Sequence, residues 1–165
     1  MGNDNRSQSI MVSFRVNGID RQVSVDPRYA LADVLRDELF LTGLHLGCEQ
    51  GVCGACTVLI DGEPAVSCLT LAVEVQGADI QTIEHLSGST SGLGDLEKSF
   101  IEHGAFQCGF CTPGFLVMGH HILNKGLGKD RDTVRECLSG NVCRCTGYEP
   151  IIDAIVAVGA GKEPK

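Results

Sequence analysis

No apolar run in the sequence approaches the ~20 residues that a membrane-spanning helix needs, so no membrane span is expected. The first residues, Met1-Gly2-Asn3-Asp4-Asn5-Arg6-Ser7, are polar and contain no apolar core of the kind a secretory signal requires. Positive charge is scarce. Thirteen Lys and Arg face 21 Asp and Glu, a net charge of −8 at pH 7. A nucleic-acid backbone demands a basic face, so a nucleic-acid partner is excluded, and with it a DNA-binding metal sensor. There is no nucleotide-binding glycine motif, no acid–base pair in a pocket-like setting and no internal repeat. Nothing here suggests a chain that breaks substrate bonds by itself.

Cysteine, by contrast, is abundant: nine in 165 residues. Without an export signal the expected setting is the cytoplasm, where clustered cysteines mean metal or redox chemistry rather than disulfides. An odd count also fits a disulfide scaffold poorly. The nine divide into Cys48, Cys53, Cys56 and Cys68, then Cys108, Cys111, Cys143 and Cys145, with Cys137 left over.

The order of patterns predicts two units of an α+β chain. Alternation over Ile10–Val16 and Arg21–Val25, with Asn17-Gly18 between, predicts a hairpin. Asp26-Pro27 reads as a helix start, with Leu31, Val34, Leu35 and Leu39 on its apolar face. Thr57–Ile60, a turn at Asp61-Gly62 and a return over 65–67 give a second hairpin, and Ile80–Ile83 a further strand. The small polar stretch 87–92 reads as a linker, dividing the chain into 1–86 and 93–165. Beyond it the period is helical. A first helix carries Leu93, Leu96, Phe100 and Ile101 and ends at Gly104. A second starts with Thr112 as N-cap and Pro113. A third carries Val134, Cys137 and Leu138 and stops at Gly140, and a fourth opens at Pro150. Four helices on short connections predict a small bundle.

The first cysteine group reads Cys-x4-Cys-x2-Cys among Gly47, Gly51 and Gly54, with Cys68 twelve positions on. That is the plant-type ferredoxin spacing for a 2Fe–2S cluster. Glycines let the backbone come close to such a cluster, whose sulfurs accept N–H groups. Zinc is the alternative, but structural zinc prefers cysteine pairs to this triplet. The second group, Cys-x2-Cys-x31-Cys-x-Cys, is more open. Two pairs beside helix starts suit zinc or a cluster, and converging helix N-termini would lower thiol pKa values and offset cluster charge.

Cys-Glu-Gln-Gly-Val-Cys-Gly-Ala-Cys-Thr-Val, Gln-Cys-Gly-Phe-Cys-Thr-Pro-Gly and Cys-Arg-Cys-Thr-Gly-Tyr, in this order and spacing, resemble the iron–sulfur subunit of the xanthine oxidase, or molybdenum hydroxylase, family, which includes aerobic carbon monoxide dehydrogenase. The resemblance spans residues 10–160. It implies a ferredoxin-like β-grasp domain followed by an all-α four-helix-bundle domain, each with one 2Fe–2S cluster. It implies a large subunit with molybdopterin, in the cytosine dinucleotide form, and a medium subunit with FAD, assembled as a dimer of heterotrimers of the bacterial three-subunit type. Electrons would run from molybdenum to the Cys108/Cys111/Cys143/Cys145 cluster, then to the Cys48/Cys53/Cys56/Cys68 cluster, then to flavin. Gln107 and Cys145 match positions that contact the pterin. No residue of this chain would do bond chemistry.

Several residues carry plainer expectations. Cys137 should be a small buried side chain, since free cysteine packs as a hydrophobe. His120 and His121 are adjacent on a helix and point about 100° apart, so they cannot serve one site and should be surface or subunit-contact residues. His45 could tune the first loop through a hydrogen bond. Arg144 either offsets cofactor charge or is an exposed arginine. A freestanding carrier with one ferredoxin domain and a zinc-stapled helical unit is the rival reading.

Overall fold

The computed structural model describes residues 9–87 and 92–161. Four residues of the expected linker, 88–91, lie outside the described residues. Strands β1 (Ile10–Val16) and β2 (Ile19–Val25) pair antiparallel. Asn17 and Gly18 take φ of 52° and 79°, the double left-handed turn that suits the twist of a tight hairpin. β2 starts at Ile19, two residues before the alternation becomes clear, because Ile19 pairs directly with Val16.

The helix expected at Asp26-Pro27 begins later. Asp26 accepts the Arg28 N–H on its side chain at 3.0 Å, and its carbonyl accepts Tyr29 N–H at 2.9 Å, which closes a turn. Ala30 is then held extended, bridged to Leu71. Leu31 N–H donates to Thr70 O, and Tyr29 O accepts Ala72 N–H. The helix α1 starts at Leu31–Asp33 and widens into a π turn over Val34–Glu38, burying Leu31, Val34 and Leu35.

After the first cysteine loop come β3 (Thr57–Ile60) and β4 (Glu63–Val66), joined by Asp61 and Gly62 at positive φ. β4 begins at Glu63, earlier than expected, because the two-residue turn lets Glu63 pair with Ile60 at once. A 3₁₀ turn (Ala72–Val75) leads to β5 (Asp79–Gln81). The strand expected over Ile80–Ile83 stops at Gln81. Thr82 is buried, its N–H and hydroxyl tied to the Asn17 side chain at 2.9 Å each, and the chain turns into the short helix α2 (Ile83–Leu86). The sheet order is β2-β1-β5-β3-β4, with β5 parallel to β1 and antiparallel to β3. Phe14, Leu31, Leu35, Val58 and Ile80 form its core.

The second half contains α3 (Asp95–Glu102), α4 (Thr112–Asn124), α5 (Arg131–Cys137) and α6 (Glu149–Gly159). A 3₁₀ turn, Leu138–Gly140, follows α5. Phe100, Phe115, Ile122, Ile151 and Ile155 fill a second core. Each such side chain removed from water contributes about 1.5–3 kcal/mol. Leu93 precedes α3, and Ile101 lies on its exposed side, so the buried face of α3 has Leu96 and Phe100 as its apolar residues, beside the buried Glu97 and Ser99. Cys111, not Thr112, holds the N-cap position of α4. Asp130 caps α5 by accepting Thr133 N–H at 2.8 Å.

Candidate metal centres

The loop between α1 and β3 carries the first three cysteines. Glu49, Gly51 and Gly54 all have positive φ, between 53° and 73°, which turns successive N–H groups toward the inside of the loop, as in an anion-binding nest. Three of them, on Gln50, Val52 and Cys53, point at Cys48 Sγ from 3.3–3.4 Å. These hydrogen bonds bring the Cys48 thiol down to about 6, because each N–H favours the thiolate form. The β3–β4 hairpin returns the fourth sulfur. Ser67 donates both its N–H and its hydroxyl to Cys56 O, which sets Cys68 against Cys56. Burial, then the contact with Cys56, pushes the Cys68 thiol up to about 11.

The second group is held by two loops that meet. Cys111 caps α4, and Cys143 and Cys145 lie on the segment between the 3₁₀ turn and α6. Cys108 Sγ and Cys145 Sγ are 3.6 Å apart. Burial and then the Cys143 side chain raise the Cys111 thiol to about 12. Burial also works against a Cys143 thiolate, but the Thr146 hydroxyl at 3.1 Å and N–H at 3.4 Å outweigh it and leave that thiol below its ordinary value. The Cys143 N–H donates to the Tyr148 hydroxyl at 3.1 Å.

The Cys108 sulfur lies against that of Cys145, and Cys56 acts on the Cys68 thiol as Cys143 does on Cys111, so neighbours within each set perturb one another. Among the described residues, no three His, Cys, Asp or Glu side chains converge as one metal ion would require. A 2Fe–2S core asks for two thiolates on each iron. The 3.6 Å sulfur separation is close to the tetrahedral edge of about 3.8 Å that ~2.3 Å metal–sulfur bonds imply. Backbone N–H groups aimed at Cys48 suit an anionic cluster further. Both sets fit that group.

The two loops touch. Cys53 O accepts Val142 N–H, and Gly54 O accepts the buried Asn141 side-chain N–H, each at 2.9 Å. Gly114 lies so close that a Cβ there would sit 2.3 Å from Gly54 O. Asn141 and Gly114 carry no signal in the sequence beyond their nearness to cysteines. His45 does not bond within its own loop. Its Nδ1 is 2.8 Å from Phe110 O, on the other one. His120 and His121 do face apart. Both are half-buried: His121 reaches Gly62 O at 3.1 Å, and His120 pairs with the buried Glu97 at 2.8 Å. Cys137 is half-buried at the rim of the helical core. Gln107, Cys145 and Arg144 are exposed.

Comparison with known proteins gives two family matches: a 2Fe-2S iron-sulfur cluster binding domain over residues 14–87 and a [2Fe-2S] binding domain over residues 82–156. The chain is 51% identical to caffeine dehydrogenase subunit gamma of Pseudomonas sp. (strain CBB1), over 94% of each chain. It is 48% identical to the nicotine 6-hydroxylase small subunit of Paenarthrobacter nicotinovorans, over 91% of this chain and 90% of that one. In the crystal structure of quinoline 2-oxidoreductase from Pseudomonas putida 86, a chain 52% identical superposes with a TM-score of 0.88, covering 94% of this chain and 97% of that one. With both halves matched and whole-length relatives this similar, the chain belongs to the iron–sulfur subunits of the molybdenum hydroxylase, or xanthine oxidase, family.

Proposed function

We propose that this chain carries two 2Fe–2S clusters, one on Cys48, Cys53, Cys56 and Cys68 and one on Cys108, Cys111, Cys143 and Cys145. It would relay electrons from a molybdopterin site in a large subunit to FAD in a medium subunit while substrate is hydroxylated or oxidised. The observation that supports this reading is the contact of the two cysteine loops at the Cys53–Val142 hydrogen bond, with the Cys108 and Cys145 sulfurs 3.6 Å apart. Each cluster supplies one-electron transfer without a proton. The protein supplies backbone N–H groups to Cys48, the Thr146 hydroxyl to Cys143, and a rigid seam between the sets.

On this reading residues 1–86 are a β-grasp domain and 93–165 a four-helix bundle, joined by 87–92. The exposed Gln107, Cys108 and Cys145 form the edge open to a pterin-bearing partner. A cysteine-rich chain suits a reducing cytoplasm, and the reading extends to a dimer of heterotrimers. Caffeine, nicotine and quinoline, after which the relatives are named, are nitrogen heterocycles, and we extend that substrate class to the complex.

The test is metal analysis with electron paramagnetic resonance of the dithionite-reduced, copurified complex. About four irons per chain, two distinct 2Fe–2S signals and molybdenum in the complex are expected. One signal with zinc in the second set would overturn the reading.

A further inference from the structure

His45 sits three residues before Cys48 but makes its contacts on the opposite loop. Its ring stacks on Phe110, with centroids 5.0 Å apart and planes 28° from parallel. Its Nδ1 is 2.8 Å from Phe110 O. A carbonyl oxygen only accepts, so Nδ1 carries the hydrogen.

Phe110 itself lies between Cys108 and Cys111 in the chain. Its ring edge is 3.3 Å from where a Cβ on Gly47 would stand, and the same point is 3.1 Å from Cys53 Sγ. The Phe110 ring therefore reaches from the second cysteine loop to the backbone that flanks a thiol of the first. On the other side of the seam, Val142 N–H holds Cys53 O and Asn141 holds Gly54 O. The seam is thus fastened on two sides, and His45–Phe110 is the exposed one.

We propose that His45 is a positioning residue for electron passage between the two cysteine sets: with Phe110 it fixes the separation and mutual orientation of the loops that carry them. This rests on the two-cluster reading above. In the step concerned, one electron leaves the Cys108/Cys111/Cys143/Cys145 cluster, which is oxidised, and arrives at the Cys48/Cys53/Cys56/Cys68 cluster, which is reduced. No bond breaks and no proton moves. The rate of such a step falls steeply with separation, so a loosened seam slows it while leaving both ligand sets intact.

The experiment uses the whole complex carrying His45→Ala, His45→Phe, which keeps the stack without the donor, or His45→Gln, which keeps a donor without the ring. Three quantities are read: iron per chain, the magnetic interaction between the two reduced clusters in electron paramagnetic resonance, and the rate at which an electron delivered by dithionite redistributes between them. Expected is full iron content with a weakened magnetic interaction in His45→Ala. Redistribution should slow severalfold, because electron tunnelling falls with each added ångström of separation. The Phe and Gln variants should lie between it and the unsubstituted complex. An unchanged interaction and rate in His45→Ala at full iron content overturns the inference. If His45→Ala loses iron, the Phe and Gln variants decide, and unchanged values in both overturn it equally. Fewer than about four irons in the unsubstituted complex overturns the two-cluster reading, and this inference with it.

Discussion

Asn141 Nδ2 donates to Gly54 O at 2.9 Å from a side chain only 5% exposed, across 87 residues of sequence. Gly54 O also accepts the Thr57 N–H and hydroxyl. Asn141→Ala therefore leaves no orphaned carbonyl and should cost about 1 kcal/mol, the net worth of one such bond. Asn141→Asp sets an acceptor against an acceptor and should cost more. Denaturant unfolding of the two variants checks the order. Equal losses would mean the hydrogen bond contributes nothing beyond packing.

Gly114→Ala should behave as an overpacked interface. The new methyl would meet backbone oxygen rather than a side chain that can swing away, so about 1–3 kcal/mol of destabilisation is expected. The loss should come with weaker contact between the cysteine loops. Thermal unfolding together with iron retention measures both.

Removing the Tyr148 hydroxyl takes the acceptor from the Cys143 N–H. Tyr148→Phe should shift the resonance signal or potential of one cluster only, the one on Cys143. It should destabilise by about 1–3 kcal/mol, the usual cost of a buried donor left unpaired. A shift in both signals would contradict the assignment of Tyr148 to one set.

Cys143→Ser should halve the iron content, and Cys68→Ser should halve it by loss of the other cluster. Cys137→Ser should leave it unchanged, because Cys137 packs at the edge of the helical core. Iron analysis of the three variants separates ligands from the ninth thiol.

Glu97 gives a pH dependence. Burial pushes its carboxyl up, but the hydrogen bond and charge of His120, with further hydrogen bonds, outweigh this and hold it below the ordinary value. A carboxyl depressed in the folded state stabilises above its unfolded value, about 4.3, and that stability is lost as pH falls through the lower folded value. Unfolding compared between the unsubstituted chain and Glu97→Gln should show a difference that is full at neutral pH and shrinks below about pH 4.3. A difference independent of pH would remove the ion pair from the account.

The turns were legible in the sequence because their cause is local. Asn17-Gly18 and Asp61-Gly62 name the residues that accept positive φ, and the chain takes it there. Asp26-Pro27 misled because the same pair serves a turn as well as a helix start. What decided between them was Thr70, over 40 residues away, accepting Leu31 N–H. Ile83 left its expected strand for a similar reason, the grip of Asn17 on Thr82. The grouping of cysteines is readable from short spacings. The contacts that join the groups are not, since His45–Phe110 and Asn141–Gly54 link residues that nothing in their neighbourhood pairs. The pairing of His120 is not readable either, because Glu97 lies a helix away.

The sheet order has a consequence for biosynthesis. β5, the last strand in the chain, lies in the middle of the sheet, between β1 and β3. The two hairpins can form as they emerge from the ribosome, but no strand pairing joins them into one sheet until β5 has been made. The Cys48–Cys56 loop is therefore translated well before the platform under it is complete. At about 5–20 residues per second, the 25 residues from Cys56 to Gln81 leave those thiols exposed for roughly one to five seconds. During that interval they lie open to oxidants and stray metal ions.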